Sequence, residues 1–396
     1  MPPSPPCAQG AQPRRSCLLS PATVCPVTSP VGASQSAETD LLALTAELVD
    51  RPSVSFEEGP FVDWLEAELR RLPHLTVTRI GDNLVARTDL GRSQRLVLAG
   101  HTDTVPVSGN GEARIDGDVL WGLGSADMKG GLAVFLDLAR TVPEPEHDLT
   151  FVFYAREEVA HEHSGLAEIL AVQPELLAGD CALLGEPTSA AIEAGCQGAL
   201  RFEVVLTGAR AHTARPWMGR NAVHRLAPVL AELAGYRARR PVIDGCEYRE
   251  ALQAVSVEGG VAGNVVPDSV TLRIHHRYAP DRTAAEAEAF VRGLLAPHIE
   301  HDDRIDIVDS SSACAPSLTH PLLRRLVDDN GLEVRAKLGW TDVARFDELG
   351  IPATNFGPGD ATVAHTPGER LERASVERHA RALRALLTEP GPVEAS

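Results

Sequence analysis

RLVLAGHTDTVP, Arg95 to Pro106, is the stretch from which the fold can be read. Leu96 to Ala99 are continuously apolar, which suits a strand covered on both faces, and Gly100 and Pro106 bracket the point where it stops. The strand then delivers His101 at its carboxyl end, with Asp103 two residues on and on the same side of an extended chain. An imidazole placed this way can give one ring nitrogen to a metal while the nearby carboxylate orients the other. A satisfied turn histidine would show the same H-x-D pattern, so the rest of the chain must separate the two.

Two further buried runs finish on acids. Leu149–Ala155 (LTFVFYA) ends in Arg156-Glu157-Glu158, and Cys181–Gly185 ends in Glu186-Pro187. Neighbouring side chains on an extended segment point to opposite sides, so one of the paired glutamates is expected to coordinate metal while the other faces the reacting group. Open α/β sheets form their sites outside the carboxyl ends of the strands, where His101, Glu157-Glu158 and Glu186 would all arrive. Between the first two strands, WGLGSADMKGG (121–131) opens a dense apolar helix. Its glycines suggest a dinucleotide loop, but Asp127 stands where the third glycine would be and would repel a pyrophosphate. Just ahead of a helix amino terminus, Asp127 is better placed to offer both oxygens to cations.

At 396 residues, two domains are expected. Residues 1–38 are rich in Pro, Ser and Ala and read as a disordered tail; Pro21 and Pro26 interrupt the only run that suggests a signal peptide. Residues 39–195 and 314–396 share one strand-and-helix grammar and form the catalytic α/β domain in two parts. Residues 196–313 interrupt it with a β-α-β-β-α-β order, that of an inserted α+β ferredoxin-like domain.

The balance of 37 basic and 55 acidic residues, net −18, argues against nucleic acid or an acidic membrane as partner. An anionic substrate would need its own local arginines. The seven cysteines contain no C-x-x-C pair and suggest neither a disulfide framework nor a zinc finger, so reducing cytoplasm is the expected compartment.

His101, Asp127, Glu158, Glu186 and His365 supply two imidazoles and three carboxylates, a set suited to two divalent cations of the zinc kind bridged by one acid. Glu157 is left over as a base. Two metals sharing a water lower its pKa and polarise a carbonyl, and an unligated glutamate can pass the proton to a leaving amine. The chemistry implied is hydrolysis of an amide.

GHTDTVP (100–106), GSADMKGG (124–131), Glu157-Glu158, GEPT (185–188), GNVVP (263–267) and the late His365 occur in an order that resembles the di-zinc aminoacylase, carboxypeptidase and desuccinylase metallopeptidase family. The resemblance covers nearly all of Thr39 to Leu387. It implies a mixed-sheet, zinc-peptidase-like catalytic domain and an inserted lid through which a homodimer forms. It also implies two Zn2+ per subunit, with Co2+ able to stand in, and a cis peptide after Asp127. By it Asp127 bridges the metals, His101 and Glu186 hold one, Glu158 and His365 hold the other, Glu157 is the general acid and base, and Asp103 orients. His212 resembles the histidine that crosses a dimer to stabilise the oxyanion. Asn264, Arg277, Thr341 and Arg345 are the candidates for binding substrate carboxylates. Among members, the desuccinylases look nearest, implying N-succinyl-LL-2,6-diaminopimelate as substrate. Acetylornithine or another N-acyl amino acid is the alternative, and a non-catalytic scaffold of the same fold is the reading from another class. One departure concerns the pocket: many desuccinylases carry GGTSDGRF where this chain has GWTDVARF (339–346), so bulky Trp340 replaces a glycine.

Overall fold

The computed structural model describes residues 39–389; the tail expected to be disordered lies outside them. The first helix, Leu41–Val49, begins where Asp40 accepts the N–H groups of Leu42 and Ala43, each at 3.1 Å.

The two flanking parts of the described chain build an eight-stranded mixed sheet. Its spatial order is Thr76–Ile80, Asn83–Arg87, Asp148–Tyr154, Arg95–His101, Cys181–Leu184, Ala353–Asn355, Ile192–Ala194 and Val334–Ala336. The central strands, Asp148–Tyr154, Arg95–His101, Cys181–Leu184 and Ala353–Asn355, run parallel, so their carboxyl ends lie along one edge. Burial on both faces is visible in the alternation of Arg95–His101. Leu96 and Leu98 join the cluster of Leu42, Leu48, Phe135 and Leu383, whereas Val97 and Ala99 join that of Leu166, Ile169 and Phe346.

The inserted segment builds a sheet and core of its own. Its strands lie in the order Ala251–Gly259, Ser269–Tyr278, Gly198–Thr207 and Arg304–Ser311, every pair antiparallel. Helices Leu226–Gly235 and Ala284–Leu295 cover one face, packing Leu226, Val229 and Val291 against Phe202, Val204 and Ile274. This is the expected β-α-β-β-α-β arrangement. Where the chain enters and leaves, Cys196 and Cys314 pair in an antiparallel bridge.

Helix Pro321–Asn330 begins at Pro321, which suits a first helical turn, and is ended by Gly331, whose φ of +56° lies in the left-handed region. Helix Leu226–Gly235 begins after a run of turns that follows Asn221. Helix Gly165–Val172 and the small sheet of Arg114–Asp116, Val119–Trp121 and Arg370–Glu372 were not expected. Among the described residues no helix is long and apolar enough to cross a membrane.

Candidate metal centre

His101 is the last residue of its strand and is buried. Its Nε2 lies 3.1 Å from Asp127 Oδ1. Its Nδ1 lies 3.0 Å from the backbone carbonyl of Asp103 and 3.5 Å from that residue's Oδ1. The orienting role expected of Asp103 thus falls first to its carbonyl.

The Asp103 carboxylate is occupied elsewhere. Its oxygens accept the backbone N–H groups of Glu157 at 3.0 Å and Glu158 at 3.1 Å, and the Ser55 hydroxyl at 2.8 Å. This corrects the expectation that the two glutamates alternate on an extended strand end. The strand closes at Tyr154, Arg156 turns through φ +63°, and consecutive amides curl around one anion.

Asp127 sits between Gly124 and the helix Gly130–Thr141, with the expected cis peptide after it. Glu369, buried and absent from the sequence reading, accepts the N–H groups of Ala126 and Asp127, each at 3.0 Å, on one oxygen. Gly100 admits Met128 beside His101; a Cβ there would stand 2.4 Å from Met128 Cε. His365 Nε2 reaches Glu158 Oε1 at 2.7 Å and Asp127 Oδ2 at 3.4 Å.

Potential ligand atoms of His101, Asp127 and Glu186 lie within 4.8 Å of one another, and so do those of Asp127, Glu158 and His365. A third such group joins His101 to Glu157 and Glu158. Asp127 is common to the first two. Their electrostatics suit positive charge. Burial and the neighbouring Glu186 hold the Glu157 carboxyl well above the usual carboxylate range. Burial and Asp127 push Glu186 up to about 7. Hydrogen bonds to Asp127 and Glu158 raise His365 to about 10. Glu186 Oε1 is buried without a hydrogen-bond partner, a cost that a cation would remove. The oxygen and imidazole donors therefore fit two divalent ions sharing Asp127.

A cavity of about 450 Å³ opens beside these groups, lined on their side by Glu157, Glu158, Glu186 and His365. Arg277, Thr341 and Arg345, the sequence candidates for binding substrate carboxylates, also line it. Two of these are already engaged. Thr341 Oγ1 donates to Asn355 Oδ1 at 2.8 Å, while Arg345 Nε donates to Asp342 Oδ1 at 2.6 Å and its Nη2 meets His161 Nδ1 at 3.1 Å. The Arg277 side chain makes no hydrogen bond or ion pair among the described residues, and burial followed by the neighbouring Arg201 lowers its pKa. His212 and Asn264 do not line the cavity. They lie exposed and side by side, His212 pairing with Val265 and the Thr213 N–H donating to the Asn264 carbonyl at 3.1 Å. The cavity also brings in His161, Arg201, Asp309 and Lys337, which sequence reasoning missed. For Arg201 the available signal was alternation, since it faces away from its core neighbours Leu200 and Phe202.

Residues 97–389 match the peptidase family M20/M25/M40. The chain belongs to this family. As a member it is an enzyme, a hydrolase of the metallopeptidase kind, and its described residues carry the groups for a dinuclear metal centre. It is 50% identical over 333 residues, 84% of this chain and 93% of the other, to a Mycobacterium tuberculosis protein provisionally named succinyl-diaminopimelate desuccinylase DapE. It is 43% identical over 358 residues, 88% of this chain and 96% of the other, to the succinyl-diaminopimelate desuccinylase of Corynebacterium glutamicum. In fold it resembles the crystal structure of a Staphylococcus aureus tripeptidase, with a TM-score of 0.73, 21% identity, and coverage of 88% of this chain and 97% of that one.

Proposed function

We propose that the chain hydrolyses N-succinyl-LL-2,6-diaminopimelate to succinate and LL-2,6-diaminopimelate, the step that supplies this diamino acid for lysine and diaminopimelate synthesis. The observation that carries this reading is identity of 50% and 43%, over most of both chains, to proteins bearing that name.

His101, Asp127 and Glu186 would hold one cation and Asp127, Glu158 and His365 the other, and the mixed imidazole and carboxylate donors favour zinc. Two such ions, when bound, supply Lewis-acid stabilisation of developing negative charge and make water acidic enough to attack at neutral pH. Glu157, its backbone fixed by Asp103, takes the proton of the attacking water and delivers it to the amine as the carbon–nitrogen bond breaks. A protein that only bound metal would have no use for that unligated carboxylate beside the cluster.

Arg277, free of internal partners, is the residue best able to pair with a substrate carboxylate. His212 and Asn264, remote from their own cavity, serve the site of a second subunit in a homodimer formed through the inserted segment, where His212 donates to the oxyanion. The chain works in the cytoplasm, in keeping with buried free thiols at Cys181, Cys196, Cys246 and Cys314.

The test compares release of free amine from N-succinyl-LL-2,6-diaminopimelate, N-acetylornithine and N-acetylmethionine by the zinc-loaded protein. The expected result is a kcat/KM for the succinyl substrate at least about tenfold above the others, the scale on which a few pocket contacts discriminate. Preference for either acetyl substrate would replace this reading with that of an N-acyl-amino-acid deacylase.

A further inference from the structure

The face of the inserted sheet that carries no helix forms the wall of the cavity opposite the metal cluster. Ala199, Arg201, Arg277, Asp309 and Ser311 reach the cavity from three adjacent strands. Asp309 arrives there through a β-bulge. The register runs Ile307 opposite Phe202 and then Asp309 opposite Arg201, so Val308 is passed over and left exposed. Without the bulge, Val308 would face Arg201 across the ladder. Bulges next to sites commonly re-aim a side chain in this way.

The resulting pair is loose. Arg201 Nε stands 3.6 Å from Asp309 Oδ2, and neither side chain makes a hydrogen bond among the described residues. A closed pair on the same insertion, Arg225 to Asp303, has contacts of 2.6 and 2.7 Å. Arg201 therefore keeps its guanidinium fork, and Asp309 its carboxylate, open toward the cavity. Beside them Arg277 offers a further unpaired cation. A wall meant only for anions would gain nothing from Asp309, whose charge would repel them. A guanidinium and a carboxylate side by side instead match the complementary charges of an amino-acid head group.

We propose that Arg201 and Asp309 form a subsite for the free amino-acid end of the substrate, the α-carboxylate pairing with Arg201 and the α-ammonium with Asp309. The proposal rests on the desuccinylase reading above and deepens it, since the substrate carries such a zwitterion at the end remote from the scissile amide. Arg277 is then left for one of the substrate's remaining carboxylates.

Two analogues each lack one charge of that head. N2-succinyl-L-lysine lacks the far carboxylate, and N-succinyl-L-2-aminopimelate lacks the far ammonium. The zinc-loaded wild-type chain should prefer the full substrate to each by tenfold or more in kcat/KM, mainly through KM. Arg201→Met should bring its preference over the lysine analogue to within twofold of unity, and Arg201→Lys should restore part of it. Asp309→Asn should do the same for the aminopimelate analogue. Because each comparison is a ratio within one protein, loss of folded enzyme does not move it. Equal losses on all three substrates would overturn the subsite alone, whereas a wild-type chain that cleaves none of them would overturn the desuccinylase reading and the subsite with it.

Discussion

Asp103 Oδ1 accepts the backbone N–H of Glu157 at 3.0 Å, and its partner oxygen takes that of Glu158 at 3.1 Å. With its carbonyl on His101 Nδ1, this one residue orients a candidate ligand from one strand and two acids that follow the next. Asp103→Asn keeps the shape but turns an amide donor toward one of those N–H groups. The expected outcome is a loss of about 10–100-fold in turnover or metal affinity, the usual effect of removing an outer-shell partner. Zinc titration against a chromophoric chelator, alongside kcat, measures both; an unchanged pair of values would mean the glutamates need no such anchor.

Glu369 holds the turn bearing Asp127 through two N–H bonds. Glu369→Ala leaves buried donors unpaired, at a cost of about 1–3 kcal/mol for each. Glu369→Gln keeps an acceptor oxygen and should recover most of that loss. Urea unfolding of the two variants separates them, and equal destabilisation would remove the anchoring role.

His379 is buried among aromatic residues, its ring 4.7 Å from that of Phe356, and burial pushes its pKa from 6.5 down to about 3. Between those values only the unfolded chain takes up the proton, so this contribution to stability is complete above about 6.5 and is lost as pH falls toward about 3. His379→Leu should accordingly lose about 2 kcal/mol less stability than wild type between about pH 7.5 and about pH 5. Urea unfolding at the two pH values checks the sign, and parallel losses would contradict it.

The proposed ligands were legible where they sit at a punctuation mark of the sequence: an apolar run that stops, or a glycine-rich turn. His101 after Leu96–Gly100 and Asp127 before Gly130-Gly131 are the clearest cases. The inserted domain was legible from the order of its strands and helices, which its four antiparallel strands and two covering helices keep. What escaped depends on pairing across the sequence. Asp309 reaches the cavity only through a bulge, which no periodicity announces. Glu369 acts on backbone 242 and 243 residues away, and Arg345 finds its partner His161 across 184. The turn at Glu157 was misread because an anion elsewhere in the chain, not the local pattern, sets its conformation.

His212 lies exposed on the insertion and away from its own cavity. Separately purified Glu157→Gln and His212→Ala proteins should each be nearly inactive. Mixed and allowed to exchange subunits, they should recover roughly a quarter of wild-type activity, since in a two-fold dimer only half the molecules are mixed and each has one intact site. Exchange without recovery would place His212 in its own chain's site or outside catalysis.

The division of labour between Glu157 and Glu158 is the central claim, because it separates a hydrolase from a mere metal binder. Glu157→Gln removes the proposed base and leaves the five proposed ligands His101, Asp127, Glu158, Glu186 and His365 in place. The most direct test is elemental analysis of that purified variant beside its turnover. Two zinc equivalents retained, with kcat lowered by about 10²–10⁴-fold, is the predicted result; loss of a metal from Glu157→Gln would show that Glu157 is a ligand and contradict the account.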